Sequence, residues 1–227
     1  MRIEKFIADS LNISRTEIKK LINQKRIKVN NEIIKKSIQV TENDLVFIDD
    51  KQIIYEQYSY YMLHKPQGYV CANYDNEHKT IFDLMNLNRD KFFSYGRLDK
   101  DTEGLLIISN DGNLSHKLLS LKNHVPKKYF LKTNIKIPDL VFEYNKPIIL
   151  NEKDIIKEYK FIKIDEYSCY LTIYNGLFHQ VKRMMKFFDL EVIYLKRIEF
   201  GFLKLDPLLE IGKSRKLTDK EIKLLKQ

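Results

Sequence analysis

The sequence predicts an α+β chain in two parts. A small module of two helices plus a hairpin comes first, and a larger domain built on a mostly antiparallel mixed sheet follows. Three observations carry this reading. Helical spacing of apolar residues dominates only before residue 24 and returns in short stretches later. From Tyr60 onward the texture is β-rich, with strand-like runs interspersed with few helices. Charge also switches along the chain. Residues 1–36 hold ten basic and four acidic side chains, whereas residues 37–59 hold Lys51 against Glu42, Asp44, Asp49, Asp50 and Glu56. Such a switch marks a basic module ending in an acidic connector, with a boundary expected between 58 and 59.

In the module, Ile3, Phe6, Ile7 and Leu11 recur at helical spacing. Ser14 followed by Glu17 reads as a capping box that starts a second helix, with Ile18, Leu21 and Ile22 as its buried stripe. Arg15 and Lys19 share a flank of that helix, and Arg26 would join them if the helix ran on. Ile27 and Val29 alternate into an Asn30-Asn31 turn and a second strand near Ile33. One or two more strands are expected over 38–48.

In the second part, YYMLHKPQGYVCA (60–72) reads as strand, turn at Pro66 and Gly68, then strand. GLLIISND (104–111) is a buried strand ending in an Asp111-Gly112 turn, and Leu114, Leu118, Leu119 and Leu121 suggest a short helix. Strands are expected over 127–137, 155–164, 169–174 and 192–205. Val181, Met184, Met185 and Phe188 lie at i, i+3, i+4 and i+7 of a helix, and the tail from Thr218 is helical.

Composition narrows the function. A net charge of +9 over 227 residues favours a polyanionic partner, most simply nucleic acid. No apolar run is long enough to span a membrane. The start, MRIEKFIADS, puts charge where an export signal needs an apolar stretch, so a cytoplasmic setting is expected. Cys71 and Cys169 are too few for a disulfide scaffold or a four-ligand zinc site and read as packed thiols. No phosphate-binding glycine motif and no HExxH is present, so nucleotide and metal chemistry are not indicated.

Three stretches could carry chemistry. GRLDKDTEGLLIISNDG (96–112) brackets a polar loop with glycines and feeds it into an apolar strand. Catalytic groups favour such loops. By local chemistry alone, however, Asp99 is a turn-stabilising carboxylate, and Asp101 and Thr102 tie the loop to itself. GLFHQVKRM (176–184) opens the amphipathic helix. There Lys182 falls at the border of the buried face and Arg183 on the opposite side. The plain alternative is a snorkelling lysine and a solvated arginine. In PKKYF (126–130), Tyr129 starts a strand and by itself says little.

SRTEIKKLINQKRIKVNNEIIKK (14–36) resembles the S4 RNA-binding domain. Together with KPQGYV (65–70), GRLDKDTEGLLIISNDG, HVPKKYF (124–130) and HQVKRM (179–184), the chain resembles the RsuA-type pseudouridine synthases over nearly its whole length. The combination points to the branch that modifies small-subunit (16S) ribosomal RNA, of the position-516 type. The resemblance implies an S4-like domain over 1–58 and a catalytic domain over 59–227. It makes Asp99 the catalytic carboxylate, Tyr129 the residue that stacks on the target base and Lys182 the cation beside Asp99. It assigns RNA contact to Arg15, Lys19, Lys20 and Arg26 in the module, and to Lys65, Arg97, Gln180 and Arg183 beyond it. Pro66 and Gly68 join Lys65 in shaping the cleft. Asn175 and Leu177 depart from the family's usual residues.

The implied reaction breaks the N1–C1′ bond of uridine, turns the base and rejoins it through C5. Nothing is gained or lost, so no cofactor is expected. The aspartate could attack C1′, add to C6, or assist loss of the 2′ hydrogen, and the sequence does not choose. All three routes need an ionised carboxylate in a largely dry pocket, and a nearby cation favours that charged form. The expected partner is ribosomal RNA within a small-subunit assembly intermediate, with no membrane and a monomeric enzyme. Three alternatives stand beside this reading: a large-subunit synthase of the same family, a non-catalytic S4-type RNA-binding protein, and a small-molecule hydrolase using Asp99.

Overall fold

The computed structural model describes all residues except Asn12, Leu121, Lys122 and His124. Leu121 of the expected short helix and His124 of the HVPKKYF stretch therefore lie outside the described residues. The chain divides into two compact units, Met1–Ser59 and Tyr60–Gln227.

In the first unit, α1 (Ile3–Leu11) and α2 (Arg15–Asn23) precede four short strands: β1 (Ile27–Val29), β2 (Glu32–Ile33), β3 (Val46–Ile48) and β4 (Lys51–Ile53). The order across the antiparallel sheet is β2-β1-β3-β4. Ser14 caps α2 by accepting from the Glu17 N–H at 3.2 Å, which satisfies a donor left over at the helix start. Asn30 and Asn31 both take positive φ, as a tight two-residue hairpin requires. Ile3, Phe6, Ile7, Ile18, Ile22, Ile27 and Val46 form the core, so the apolar faces of both helices close over the sheet. The stretch 38–45 contributes only a bridge from Gln39 to Arg2. Strand pairing starts later than periodicity suggested, because Thr41 and Asp44 close a polar turn there.

The second unit holds β5 (Tyr60–Lys65), β6 (Phe93–Ser94), β7 (Glu103–Ser109), α3 (Gly112–Leu119), β8 (Lys127–Thr133), α4 (Leu140–Glu143), β9 (Ile148–Ile149), β10 (Ile155–Ile156), β11 (Tyr159–Lys163), β12 (Ser168–Ile173), α5 (Gln180–Lys186), β13 (Val192–Phe200), β14 (Leu203–Lys204), β15 (Ser214–Lys216) and α6 (Asp219–Lys226). The main path of the large sheet runs β11-β12-β8-β13-β7-β5-β15. Every pairing along it is antiparallel except β13 with β7. That is the mostly antiparallel mixed sheet of an α+β fold. No described helix is long and apolar enough to cross a membrane.

All seven residues of β7 are buried, as a strand covered on both faces requires. Val70 makes only a bridge to Thr80, so the second arm of the expected 60–72 hairpin is a loop. Asp111 is not a turn residue but the N-cap of α3, accepting from the Leu114 N–H at 3.1 Å. Thr218 and Glu221 form a reciprocal capping box on α6.

Gly104 is required where it stands. Its φ is +115°, and a Cβ there would lie 2.6 Å from the Arg197 backbone nitrogen. The one parallel crossing of the sheet is thus a backbone-to-backbone contact that only glycine permits. It pins the strand that leaves the 96–102 loop against the middle of β13.

Candidate active site

The loop before β7 is held from inside. Lys65, at the end of β5, is fully buried, and its ammonium donates to the carbonyls of Thr102 at 2.8 Å, Asp99 at 3.0 Å and Pro66 at 3.1 Å. Burial pushes the basicity of Lys65 down. This corrects the expectation that Lys65 touches RNA, because its charge is sealed in and spent on the loop. It does shape the cleft, as does Gly68, whose N–H donates to the Lys100 carbonyl at 2.7 Å. Cys71 braces the same loop, since its sulfur accepts from the Leu98 N–H at 3.3 Å and donates to the Leu98 carbonyl. Leu98 drops into the core and leaves Arg97 exposed on one side and Asp99 half-buried on the other.

Asp99 faces an ammonium and an imidazole from the start of α5. Lys182 Nζ lies 3.6 Å from Oδ2, and His179 Nε2 lies 3.7 Å from Oδ1. The Asp99 side chain keeps 28% of its exposure, so the pocket is less dry than the chemistry led us to expect. Lys182 does sit beside Asp99, but its hydrogen bonds go elsewhere. It donates to both oxygens of Asp101, at 2.6 and 2.7 Å. Burial pulls the Asp101 carboxyl up, and the hydrogen bond and charge of Lys182 outweigh it, leaving it below the usual carboxylate range. One ammonium is therefore shared by two carboxylates, and Asp101 holds the larger share.

His179 is the residue that sequence reasoning passed over. It N-caps α5 in the left-handed region, with φ +48°, and its ring stacks on Phe178 at 3.8 Å between centroids. A histidine set directly before an amphipathic helix was the available signal. Gln180 is buried, and its side-chain carbonyl accepts from the Leu177 N–H at 3.0 Å, so it shapes the turn into α5 and is not free to meet RNA. Arg183 is likewise committed. It donates to Asp154 at 2.8 Å and to the Phe178 carbonyl at 3.3 Å, where an arginine free to contact RNA was expected. Of the four RNA contacts expected outside the module, Arg97 alone presents an exposed, uncommitted position on the cleft.

The cleft itself has a volume of about 610 Å³. Asp99, Arg97, Phe178 and His179 line it, and the buried side chains of Tyr129, Lys127 and Arg197 form its floor. Tyr129 also lines a smaller chamber behind, with Asp99, Thr102 and Lys182. So the three residues singled out from three separate stretches converge on one place, from the β7 loop, from β8 and from α5. Burial, followed by the neighbouring Arg197, pushes the Lys127 ammonium down to about 8.

In the first unit, Arg15 and Lys19 line one groove with Arg2, just before α1, and Lys5 of α1. The last two were not foreseen, because their cations join the patch only when the helices pack. Lys20 is exposed but lies outside that groove lining. Arg26 does not extend the patch. The helix stops at Asn23, Lys25 turns the chain with φ +60°, and the Arg26 guanidinium pairs with Asp49 through both of its oxygens.

A sequence model described as RNA pseudouridylate synthase matches residues 59–187, and the S4 domain model matches residues 1–46. The chain belongs to the RNA pseudouridylate synthase family. This synthase is 37% identical to the ribosomal small subunit pseudouridine synthase A of Haemophilus influenzae, with 99% of each chain covered. It is 35% identical to the protein of that name from Escherichia coli, with 98% of each covered. A solved pseudouridylate synthase superposes with a TM-score of 0.71 at 36% identity, covering 99% of both chains. The synthase is thus an enzyme with an added RNA-binding module, and the reading as a binding protein without catalysis falls away.

Proposed function

We propose that this synthase converts one uridine of small-subunit (16S) ribosomal RNA, at position 516, to pseudouridine, with Asp99 as the reacting carboxylate. The observation that carries the proposal is Asp99 set between Lys182 and His179 in a cleft floored by Tyr129. The full-length similarity to small-subunit synthases supports the choice of RNA.

The residues divide the work as follows. A uridine leaves its stack, at a cost of a few kcal/mol, and enters the cleft. Stacking on Tyr129 returns about 1–3 kcal/mol of that cost. Lys182 and His179 flank the Asp99 carboxylate and orient it while it takes part in breaking the N1–C1′ bond. The freed ring turns, C5 bonds to C1′, the C5 proton leaves and N1 gains one. The basic groove of Arg2, Lys5, Arg15 and Lys19 docks the RNA through its phosphates. Arg97 adds a contact at the cleft. We place the reaction on a partly assembled small subunit in the cytoplasm, with the enzyme as a monomer.

The test is to map pseudouridine in 16S RNA from cells lacking the protein, complemented with wild type or with Asp99→Asn. Wild type restores the modification at one position and Asp99→Asn does not, although it folds and binds RNA. Substantial modification by Asp99→Asn removes Asp99 from its role. A site that appears in large-subunit RNA assigns the enzyme to the other branch.

A further inference from the structure

The cleft floor contains two buried cations that the roles above do not use. Lys127 and Tyr129 are two apart on β8, so both point to the same face. Arg197 on β13 is registered directly opposite Tyr129, and directly opposed residues of an antiparallel pair share a face with their Cβ atoms about 5 Å apart. The tyrosine therefore has a lysine along its strand and an arginine across from it. Both cations sit over Phe200, Arg197 at 5.3 Å and Lys127 at 5.9 Å from the ring centroid.

Buried charges are normally paired. Among the described residues, no ion pair involves either of these. Arg197 is 2% exposed, and one of its terminal nitrogens, Nη2, has no hydrogen-bond partner while Nε donates to the Leu105 carbonyl at 2.8 Å. Lys127 has three protons and two acceptors, the carbonyls of Val125 at 2.8 Å and Tyr174 at 3.1 Å. The floor thus carries spare donors and uncompensated positive charge beside the tyrosine proposed to hold the base.

Given the reading of this cleft as the site of uridine isomerisation, we propose that Lys127 and Arg197 form the anion-stabilising floor for the uracil ring. When the N1–C1′ bond breaks, its electron pair leaves with N1, and the charge spreads to O2 and O4. If the carboxylate instead adds to C6, the charge appears on the C5–C4–O4 enolate. In either case negative charge develops on ring oxygens beside the tyrosine, and donors fixed before the reaction stabilise it more than they stabilise the neutral base. The charge is discharged when C5 bonds to C1′, its proton leaves and N1 is protonated. A floor that served a backbone phosphate would be at work equally before and after reaction.

The test compares Lys127→Met with wild type on two RNAs, one carrying uridine and one carrying 5-fluorouridine at the target. Fluorine makes the ring more acidic, so its anion needs less help. Since C5 then bears no proton, single-turnover loss of intact nucleoside after digestion is the readout for both. The expected result is a loss of about 10²-fold on uridine, a clearly smaller loss on 5-fluorouridine, and unchanged RNA affinity. The ratio of the two rates does not depend on how much of the variant is folded. Lys127→Arg, which keeps the cation, holds the wild-type ratio. Equal losses on both RNAs, a loss confined to affinity, or no loss overturns the proposal. Failure of wild type to react with ribosomal RNA would refute the proposed function instead, so the two failures are distinguishable.

Discussion

Replacing Gly104 with alanine tests whether the parallel β7–β13 crossing organises the site. Two costs follow from the structure. At φ +115° an L side chain is strained, by about 1–3 kcal/mol. The added Cβ also lands on the Arg197 backbone, 2.6 Å from its nitrogen and 2.9 Å from its carbonyl carbon. No rotamer relieves a clash with main chain, so the strands must part, at an overpacking cost of about 1–3 kcal/mol. The sum is about 2–6 kcal/mol, a large share of the 5–15 kcal/mol typical of a folded domain. For a unit of this size that is a fall in melting temperature of about 4–24 °C. Urea unfolding of Gly104→Ala beside wild type measures it, with the same slope and a lower midpoint expected. Since Gly104 pairs with Lys65 on one side and Arg197 on the other, the displacement reaches both the Asp99 loop and the cleft floor. A shift of about 1 Å there costs about 10²-fold in turnover. A variant that loses under about 1 kcal/mol and keeps its rate refutes the reasoning.

Further outcomes are expected. We assign the Tyr129 phenol a proton transfer beside the stacking of its ring, so Tyr129→Phe keeps RNA affinity within a few-fold while turnover falls by about 10²-fold; equal losses in affinity and turnover would refute that assignment. Arg15→Ala combined with Lys19→Ala reduces the slope of log affinity against log salt by about 1–2, read by filter binding, because two phosphate contacts are lost; an unchanged slope would place RNA elsewhere. Glu221 has its carboxyl lowered to about 2 by its hydrogen bonds from Arg215, 2.8 Å away, against the opposing pull of burial. Its contribution to stability is therefore complete above the ordinary carboxylate value near 4.5 and is lost as pH falls toward about 2. Glu221→Gln flattens the dependence of the urea midpoint on pH over that window, and a variant with the wild-type slope would contradict the pairing.

Much of the fold was legible in the residues. The apolar spacing of α1, α2 and α5, the Ser14 cap and the Asn30-Asn31 turn are local codes, and local backbone geometry satisfied each one. Misreadings occurred where pairing decided the outcome. The stretch around Val70 has strand-like residues but finds only a bridge, and 38–45 is held by a polar turn. The motif residues Asp99, Tyr129 and Lys182 were identifiable by type and order, yet no local chemistry distinguished them from turn, strand and helix-flank residues.

What only the tertiary structure decided is who partners whom. Lys65 and Gln180 carry polar groups that could meet RNA, and packing turned both inward. Arg26 and Arg183 were taken by Asp49 and Asp154, at sequence separations of 23 and 29 that no periodicity encodes. Lys182 was divided between Asp99 and Asp101, His179 entered the cleft from a motif in which only its neighbours were singled out, and Arg197 entered it from a strand read as ordinary. Hydrophobic period and capping act over one turn of helix or one strand, so a single sequence displays them. A hydrogen bond between distant side chains forms only after the sheet order has brought them within about 3 Å, and that order is a property of the whole chain.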